Sequence, residues 1–284
     1  MTVSQEHDPN LLSVIIAARN EAGYIGDCLN SLLGQDDEAG DVEVIVVANA
    51  CTDDTVGAAL ATRGGIEARG WDLRVIEEPK PGKIHALNTG DQAAKGQFMV
   101  YLDADVVCDT DMFAALREVL ARDEPLYATG TLKVTEAQTW VTRQYARFWQ
   151  KLPFVQGGAV GAGLFAVNRP GRERWQAFPD IISDDTYVRL NFAPEERIEV
   201  LPKYHWPMVE GFGNLIKVRR RQDDGVAEIV NLYPELVRHD DKKRLRKTDI
   251  IGLFLRDPVG FCVYGGVSVA VRLSPARRQW ARGR

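Results

Sequence analysis

Phe98-Met99-Val100-Tyr101-Leu102 is a run of five apolar or aromatic residues that meets two carboxylates, Asp103 and Asp105, one residue apart. A run this short and continuous, opened by Gly96, predicts a strand buried on both faces, as parallel sheets require. Side chains alternate along extended backbone, so Asp103 and Asp105 point the same way if extension continues through them. Beyond the carboxyl end of such a strand lies the crevice in which open α/β sheets bind ligands. Two hard oxygen donors there suit Mg²⁺ or Mn²⁺, and such a cation suits a diphosphate. The competing assignment is that Asp103 or Asp105 caps a helix starting near Asp109.

The preceding sequence repeats the pattern. Residues 11–18 are apolar and β-branched, end in Arg19-Asn20-Glu21, and are followed by Ile25, Cys28, Leu29, Leu32 and Leu33 at helical spacing, predicting a helix over 22–33. A second buried strand over 42–47 runs into Ala48-Asn49-Ala50-Cys51-Thr52-Asp53-Asp54-Thr55, where Thr52 can cap a helix with Asp53 and Asp54 in its first turn. A third strand over 73–77 precedes Pro79-Lys80-Pro81-Gly82-Lys83, and helical spacing resumes at Ala86, Leu87 and Ala93. Strand and helix in strict alternation predict a doubly wound α/β layer, and right-handed crossovers gather all four strand ends on one edge. On that edge Glu21 is a carboxylate placed after a strand, where it can meet a ligand or serve as a first-turn helix charge. Lys83, in a Pro- and Gly-rich loop before a helix, is a point-charge partner for a diphosphate or a base, or else a solvated loop lysine.

Residues 242–284 hold 11 Lys/Arg against 2 Asp/Glu, although the whole chain has a formal net charge of −5. A basic tail on an acidic body points to an anionic neighbour such as a membrane surface rather than to nucleic acid, and a solvated basic helix fits equally. Its apolar stretches, 250–255 and 258–271, suit an interfacial anchor or helices packed on the main domain, and 14 residues are too few to span a bilayer. Cys28, Cys51, Cys108 and Cys262 form no C-x-x-C pair, which fits a reducing compartment. With residues 1–10 polar and acidic, unlike a signal peptide, the expectation is a cytoplasmic protein, at most peripheral at the inner face of the membrane.

The second half is less regular. Met112, Phe113, Leu116, Val119 and Leu120 predict a helix, and the glycine-rich stretch 157–163 leads into a strand-like run. Its small residues let backbone approach a ligand closely, or make a tight turn. Ser183-Asp184-Asp185 is a good helix start, with Ser183 as N-cap and two first-turn carboxylates. Residues 200–207 read as a strand carrying His205, which is packed beside Trp206 or coordinates a metal. Lys217, Arg219, Arg220 and Arg221 form a basic run, either anion-binding or solvated.

Five of these pieces, in this order, resemble the family 2 glycosyltransferases of the GT-A fold: Ala17-Ala18-Arg19-Asn20-Glu21, Asn49-Ala50-Cys51-Thr52-Asp53-Asp54-Thr55, Gly82-Lys83-Ile84-His85-Ala86-Leu87-Asn88-Thr89-Gly90, Asp103-Ala104-Asp105 and Ser183-Asp184-Asp185. The likeness covers roughly residues 11–220. It implies that Ala17, Arg19 and Glu21, with Asn49, Lys83 and Asp103, bind a nucleotide-sugar donor, taken as a UDP-sugar. It further implies that Asp105 and Asp103 hold Mn²⁺ or Mg²⁺, with His205 as a downstream candidate ligand. Asp185 matches the family's catalytic base and Asp184 its acidic neighbour, with Asp in place of the more usual Glu. Two departures stand out. The carboxylate expected to hold a uracil imide is replaced by Ala48-Asn49, although Asn49 still offers a donor and an acceptor to a base edge. No Trp follows the basic run, unlike the Gln-x-x-Arg-Trp motif of processive relatives.

The expectation is a mostly parallel, doubly wound GT-A-like sheet flanked by helices, with a donor half (1–107), an acceptor half (108–220) and a basic helical extension (221–284). The expected activity is metal-dependent, inverting sugar transfer to an acceptor hydroxyl on a glycan or lipid-linked molecule, without a covalent intermediate. A nucleotide-sugar-forming nucleotidyltransferase is the nearer rival, but it calls for a glycine-rich loop after the first strand, which Ala17 to Glu21 does not provide. A non-catalytic nucleotide-sugar-binding protein is the further one.

Overall fold

The computed structural model describes residues 7–157, 159–242 and 245–273. The four expected strands are β1 (Asp8–Ala18), β2 (Val42–Asn49), β3 (Asp72–Glu78) and β4 (Gly96–Asp103). The helices between them are α1 (Ile25–Leu33), α2 (Thr55–Leu60), α3 (Arg63–Ala68) and α4 (Lys83–Ala93). After β5 (Val107–Cys108) and α5 (Met112–Leu120) come β6 (Tyr127–Val134), α6 (Trp140–Trp149), β7 (Leu164–Asn168), α7 (Arg169–Arg172), α8 (Asp184–Leu190) and β8 (Arg197–Trp206). Three helices close the described chain: α9 (Phe212–Leu232), α10 (Lys247–Arg256) and α11 (Pro258–Leu273).

Among the described residues, eight strands form one sheet in the order β3-β2-β1-β4-β7-β6-β8-β5. The first four are parallel; β7 runs antiparallel between β4 and β6, and β8 returns parallel to β6. Alternation splits each strand between two cores. Val14, Ile16, Val44, Val46 and Val100 pack with α1 and α5, whereas Ile15, Ile45, Met99 and Tyr101 pack with α4. Gly90 allows α4 its close approach, since a Cβ there would lie 2.5 Å from Ile15 Cγ2. Register brings the motifs together: Ala17 pairs with Asp103, Ala18 with Ala48, and Asn49 with Glu78. Four strand ends therefore share one edge, as right-handed crossovers require.

Four local readings change, and one expected limit falls inside a helix. The first helix starts at Ile25 rather than 22, because the Glu21 carbonyl accepts from the Tyr24 and Ile25 amides in a preceding turn. Asp54, not Thr52, caps α2, accepting from Gly57 N at 3.2 Å. Extension ends at Asp103: Ala104-Asp105 is a turn closed by Val106 N donating to the Asp103 carbonyl at 3.1 Å. Neither Asp103 nor Asp105 caps α5, whose N-cap is Asp111. The helix α9 runs unbroken across residue 220, so the expected limit of the acceptor half is not a break in secondary structure.

Of the two readings of the C-terminal extension, α11 takes the packed one. It lies against α6 and α9, with Val267 fully buried and Phe261 edge-on to Phe148 at 5.7 Å. Asp257, between α10 and α11, is buried and accepts from Arg147 (2.6 and 3.0 Å), Lys151 (2.8 Å) and Gly260 N (3.0 Å). Lys243, Arg244 and residues 274–284 of the basic tail, together with residues 1–6 and Gly158, lie outside the described residues. Among the described residues no helix is long and apolar enough to cross a membrane.

Candidate active site

A cleft of about 940 Å³ opens over the carboxyl ends of β1, β2 and β4. Its lining includes Ala17, Arg19 and Glu21 from the end of β1, and Asn49 from β2. Lys83, Asp103, Asp105, Asp184 and Asp185 line it as well. Nine of the ten residues expected at the site thus share one cavity.

The loops that hold them are tied side chain to backbone. Asn20, in the left-handed region at φ 55°, accepts through Oδ1 from Thr52 N at 2.7 Å, joining the ends of β1 and β2. Asp53 joins the same two loops by accepting from Ala22 N at 3.2 Å and Thr55 N at 3.2 Å. Lys83 opens α4, and Asn88 one turn on fixes the 178–183 loop, accepting from Phe178 N at 2.7 Å and donating to its carbonyl at 3.1 Å. One rigid helix therefore positions both Lys83 and the segment leading to Asp184 and Asp185.

The centre of the site is ionic. Lys83 Nζ lies 2.9 Å from Asp103 Oδ1 and 3.1 Å from Asp184 Oδ2, so one ammonium joins the β4 carboxylate to the acidic pair of α8. Burial works against the Lys83 charge, but Asp103 and Asp184 outweigh it and raise its pKa well above the usual lysine range. Asp185 is half-buried in the first turn of α8, where Thr186 N donates to its Oδ1 at 2.6 Å. Desolvation first, and the Asp184 charge second, push its carboxyl up from the usual aspartate value, with Lys83 pulling the other way. A carboxyl shifted in this sense is a better proton acceptor once ionised.

Two expected roles change. Asn49 lines the cleft, but its amide is used on the loop before Lys83: Oδ1 accepts from Gly82 N at 2.7 Å and Nδ2 donates to the Lys80 carbonyl at 2.7 Å. Both ends of the group that was to read a base edge are engaged, which makes Asn49 a positioning residue for Lys83. His205 does not line the cleft. Its neighbour Trp206 does, so alternation along β8 turns His205 away, with Nε2 3.2 Å from Asp109 Oδ1. His205 is therefore not placed to be a metal ligand at this site.

Other lining residues were not singled out for the site. Trp149, Phe154 and Trp206 form an aromatic wall, with Trp149 centred 6.1 Å from Phe154 and 6.0 Å from Trp206. Trp206 Cδ1 would lie 2.6 Å from a Cβ on Gly163, whose φ is +84°, and the Gly163 carbonyl accepts from Asp103 N at 2.8 Å. Only glycine fits that contact, so Gly163 packs its backbone on Trp206. The α6 helix behind the wall was legible in Val141, Tyr145, Phe148, Trp149 and Leu152, whose spacing is helical. Arg219 and Arg221 of the basic run also line the cleft, and Arg219 donates to Tyr264 Oη of α11 at 2.7 Å.

The donor set fits a hard divalent cation. Among the described residues no three His, Cys, Asp or Glu side chains are grouped to hold a metal. Mg²⁺-type sites, however, commonly use one or two carboxylates and complete their shell with water and substrate phosphate. Asp103 and Asp105 provide that pair, and the Lys83 ammonium against Asp103 shows that this carboxylate supports a cation there.

Comparison with known proteins places the family and the fold. The family model described as "Glycosyl transferase family 2" matches residues 13–175. The chain belongs to glycosyltransferase family 2. Among curated relatives, this family 2 chain is 34% identical over 108 residues to "Uncharacterized glycosyltransferase EpsJ" of Bacillus subtilis, covering 38% of the chain and 30% of EpsJ. It is 30% identical over 248 residues to the poly-beta-1,6-N-acetyl-D-glucosamine synthase of Staphylococcus epidermidis, covering 81% of the chain and 58% of the synthase. The chain thus spans between 30% and 58% of the length of these two relatives. Its fold matches that of the mannosyltransferase PcManGT from Pyrobaculum calidifontis, solved with GDP-Man and Mn²⁺ (TM-score 0.59, 20% identity, 97% of this chain and 80% of that one). It also matches S. aureus TarS 1–349, solved with UDP-GlcNAc (TM-score 0.54, 18% identity, 92% and 76%). The GT-A-like architecture expected of this family 2 protein is the one observed.

Proposed function

We propose that this family 2 protein transfers a sugar from a nucleotide-diphosphate sugar, taken as a UDP-sugar, to an acceptor hydroxyl, inverting the anomeric carbon. The observation that carries this reading is the Lys83 ammonium between Asp103 and Asp184 in a cleft also lined by Asp105 and Asp185. In it, donor positioning, metal binding and proton acceptance fall within one cavity.

Each side chain has a defined task in this reading. Ala17, Arg19 and Glu21 receive the base and ribose at the end of β1. Lys83 meets the diphosphate, with Asn49 fixing the loop that presents it. Asp105 and Asp103 hold Mn²⁺ or Mg²⁺, which, when bound, supplies charge neutralisation for the leaving diphosphate. Asp185 takes the proton of the acceptor hydroxyl as its oxygen bonds to the anomeric carbon. The bond from that carbon to the diphosphate breaks with its electron pair, and the nucleoside diphosphate leaves. Asp184, held by Lys83, keeps α8 oriented, and positioning with charge stabilisation provides most of the rate.

Relatives support a nucleotide-sugar donor but differ in the base: PcManGT was solved with GDP-Man and TarS with UDP-GlcNAc. A uridine nucleotide is therefore part of the proposal. The acceptor is a glycan or a lipid-linked molecule, met by the aromatic wall and the half comprising residues 108–220, while residues 1–107 bind the donor. Residues 221–284 give peripheral contact with the cytoplasmic face of a membrane. Single-sugar addition is favoured because residues 217–222 read Lys-Val-Arg-Arg-Arg-Gln without the Trp of processive relatives.

The test is turnover. UDP-sugars with Mn²⁺ should release UDP from the wild-type chain and not from Asp185→Asn, with GDP-mannose and deoxythymidine-diphosphate sugars as alternative donors. Binding without release from any donor would leave a non-catalytic binding protein. Pyrophosphate released from UTP and a sugar 1-phosphate, with no turnover of any nucleotide-sugar, would make it a nucleotidyltransferase.

A further inference from the structure

The helix α10 has no buried residue. Its apolar side chains Ile250, Ile251, Phe254 and Leu255 are all exposed, Leu255 to 72%, and their i, i+1, i+4, i+5 spacing sets them in one stripe. On α11 a second outward stripe holds Val259, Cys262, Val269 and Leu273, opposite the inward Gly260, Tyr264 and Val267. The two helices are joined through Asp257 alone and held by Phe254 edge-on to Phe261 at 5.4 Å, so the stripes belong to one rigid corner. Arg246, Lys247, Arg256 and Arg272 are exposed around it. The acids of this corner are neutralised: Asp249 pairs with Arg246, which leaves Lys247, Arg256 and Arg272 as the net cations, and Asp257 is buried on Arg147 and Lys151 from the α6 side.

We infer that the outer face of α10 and α11 docks on the surface of an anionic lipid bilayer. An apolar stripe flanked by Lys and Arg, on helices that do not span, is the pattern that settles into the headgroup boundary. Charge selects this occupant over two others. A second copy of the chain would bring the same cations against their like, and residues 274–284, with four arginines and no acid, carry the same sign. The docked face lies one helix from the reacting centre. Tyr264 of α11 accepts from Arg219, which lines the cleft, and Trp149 at the end of α6 lines it too. Docking there holds the acceptor end of the cleft beside the bilayer, where a lipid-borne acceptor is presented.

Sedimentation of the full chain with vesicles tests this, using phosphatidylglycerol mixed into phosphatidylcholine against phosphatidylcholine alone. Binding is expected to the anionic vesicles and to fall as salt is raised. Ile251→Asp/Leu255→Asp should weaken it at least about tenfold. Lys247→Gln/Arg256→Gln should weaken it about fivefold per charge removed. This second pair decides the matter if the first fails to fold. UDP titration of the same samples keeps the two proposals apart. UDP binding with no vesicle binding overturns the docking and leaves the donor site; vesicle binding lost in both variants supports the docking whether or not UDP binds. Vesicle binding equal in wild type and both variants, or a dimer that Ile251→Asp/Leu255→Asp dissociates, overturns it.

Discussion

Lys83 Nζ stands 2.9 Å from Asp103 Oδ1, so a cation carried by the first turn of α4 is fixed on the strand-end carboxylate that opens the D-x-D turn. The same ammonium reaches Asp184 at 3.1 Å, so it links the sheet edge to α8. Removing it should loosen two elements and remove a diphosphate partner together. Lys83→Met is expected to lower kcat/KM by about 10- to 100-fold, the range of one charged hydrogen-bonded contact. Steady-state kinetics on a nucleotide-sugar donor measures this, and unchanged kcat/KM would remove Lys83 from the site.

The acid limb of the pH–rate profile should respond to the neighbours of Asp185. Its carboxyl is raised by burial and by Asp184 and lowered by Lys83, so activity grows as pH rises through its folded pKa. Asp184→Asn removes a raising charge and should move the acid limb to lower pH; Lys83→Met removes a lowering one and should move it to higher pH. Opposite shifts are the expected outcome. Parallel shifts would show that another group sets the limb.

Replacing the base itself separates stability from turnover. Asp185→Asn should reduce kcat by about 10²- to 10⁴-fold with UDP affinity retained. Because the folded pKa of Asp185 is raised, its ionised form is disfavoured by the fold at neutral pH, and the neutral Asn should unfold at the same or a higher temperature. A fall in both melting temperature and UDP affinity would mark Asp185 as structural.

The Gly163–Trp206 contact should tolerate no side chain. Gly163→Ala places a Cβ 2.6 Å from Trp206 Cδ1 at a φ of +84°. It should destabilise the chain by about 1–3 kcal/mol, through strain and overpacking, and displace the Asp103 amide bonded to the Gly163 carbonyl. Denaturant unfolding gives the first quantity and UDP titration the second effect.

Asp257 predicts an acid-sensitive corner. Burial alone would raise its carboxyl, but hydrogen bonds from Arg147 and Lys151 prevail and hold it down at about 2. A folded pKa below the unfolded value near 3.9 gives stability that is complete above the unfolded value and lost as pH falls towards 2. This amounts to about 2–3 kcal/mol. Asp257→Asn should flatten that part of the stability profile in unfolding titrations between neutral and acid pH.

Much of the donor half was legible because short β-branched runs and amphipathic spacings are local signals. The 98–103 run became β4, and register then carried Asp103 beside Ala17 without further information. What escaped depends on neighbours distant in sequence. β6 alternates only over the short stretch Thr131-Leu132-Lys133-Val134, is interrupted by Gly130, and is completed by pairing with β7 and β8. Asn49 had the composition of a base reader, yet the nearby Lys80 and Gly82 backbone claims its amide. His205 looked available until alternation along β8 turned it towards Asp109. The aromatic wall joins three segments that no single periodicity connects.

The most direct test of a metal-dependent nucleotide site is calorimetric titration with UDP, with and without Mn²⁺, on the wild-type chain and on Asp105→Ala. The account predicts UDP binding that strengthens with Mn²⁺ in the wild type and loses that enhancement in Asp105→Ala. Equal UDP affinity in both proteins, with no effect of Mn²⁺ on either, would contradict it.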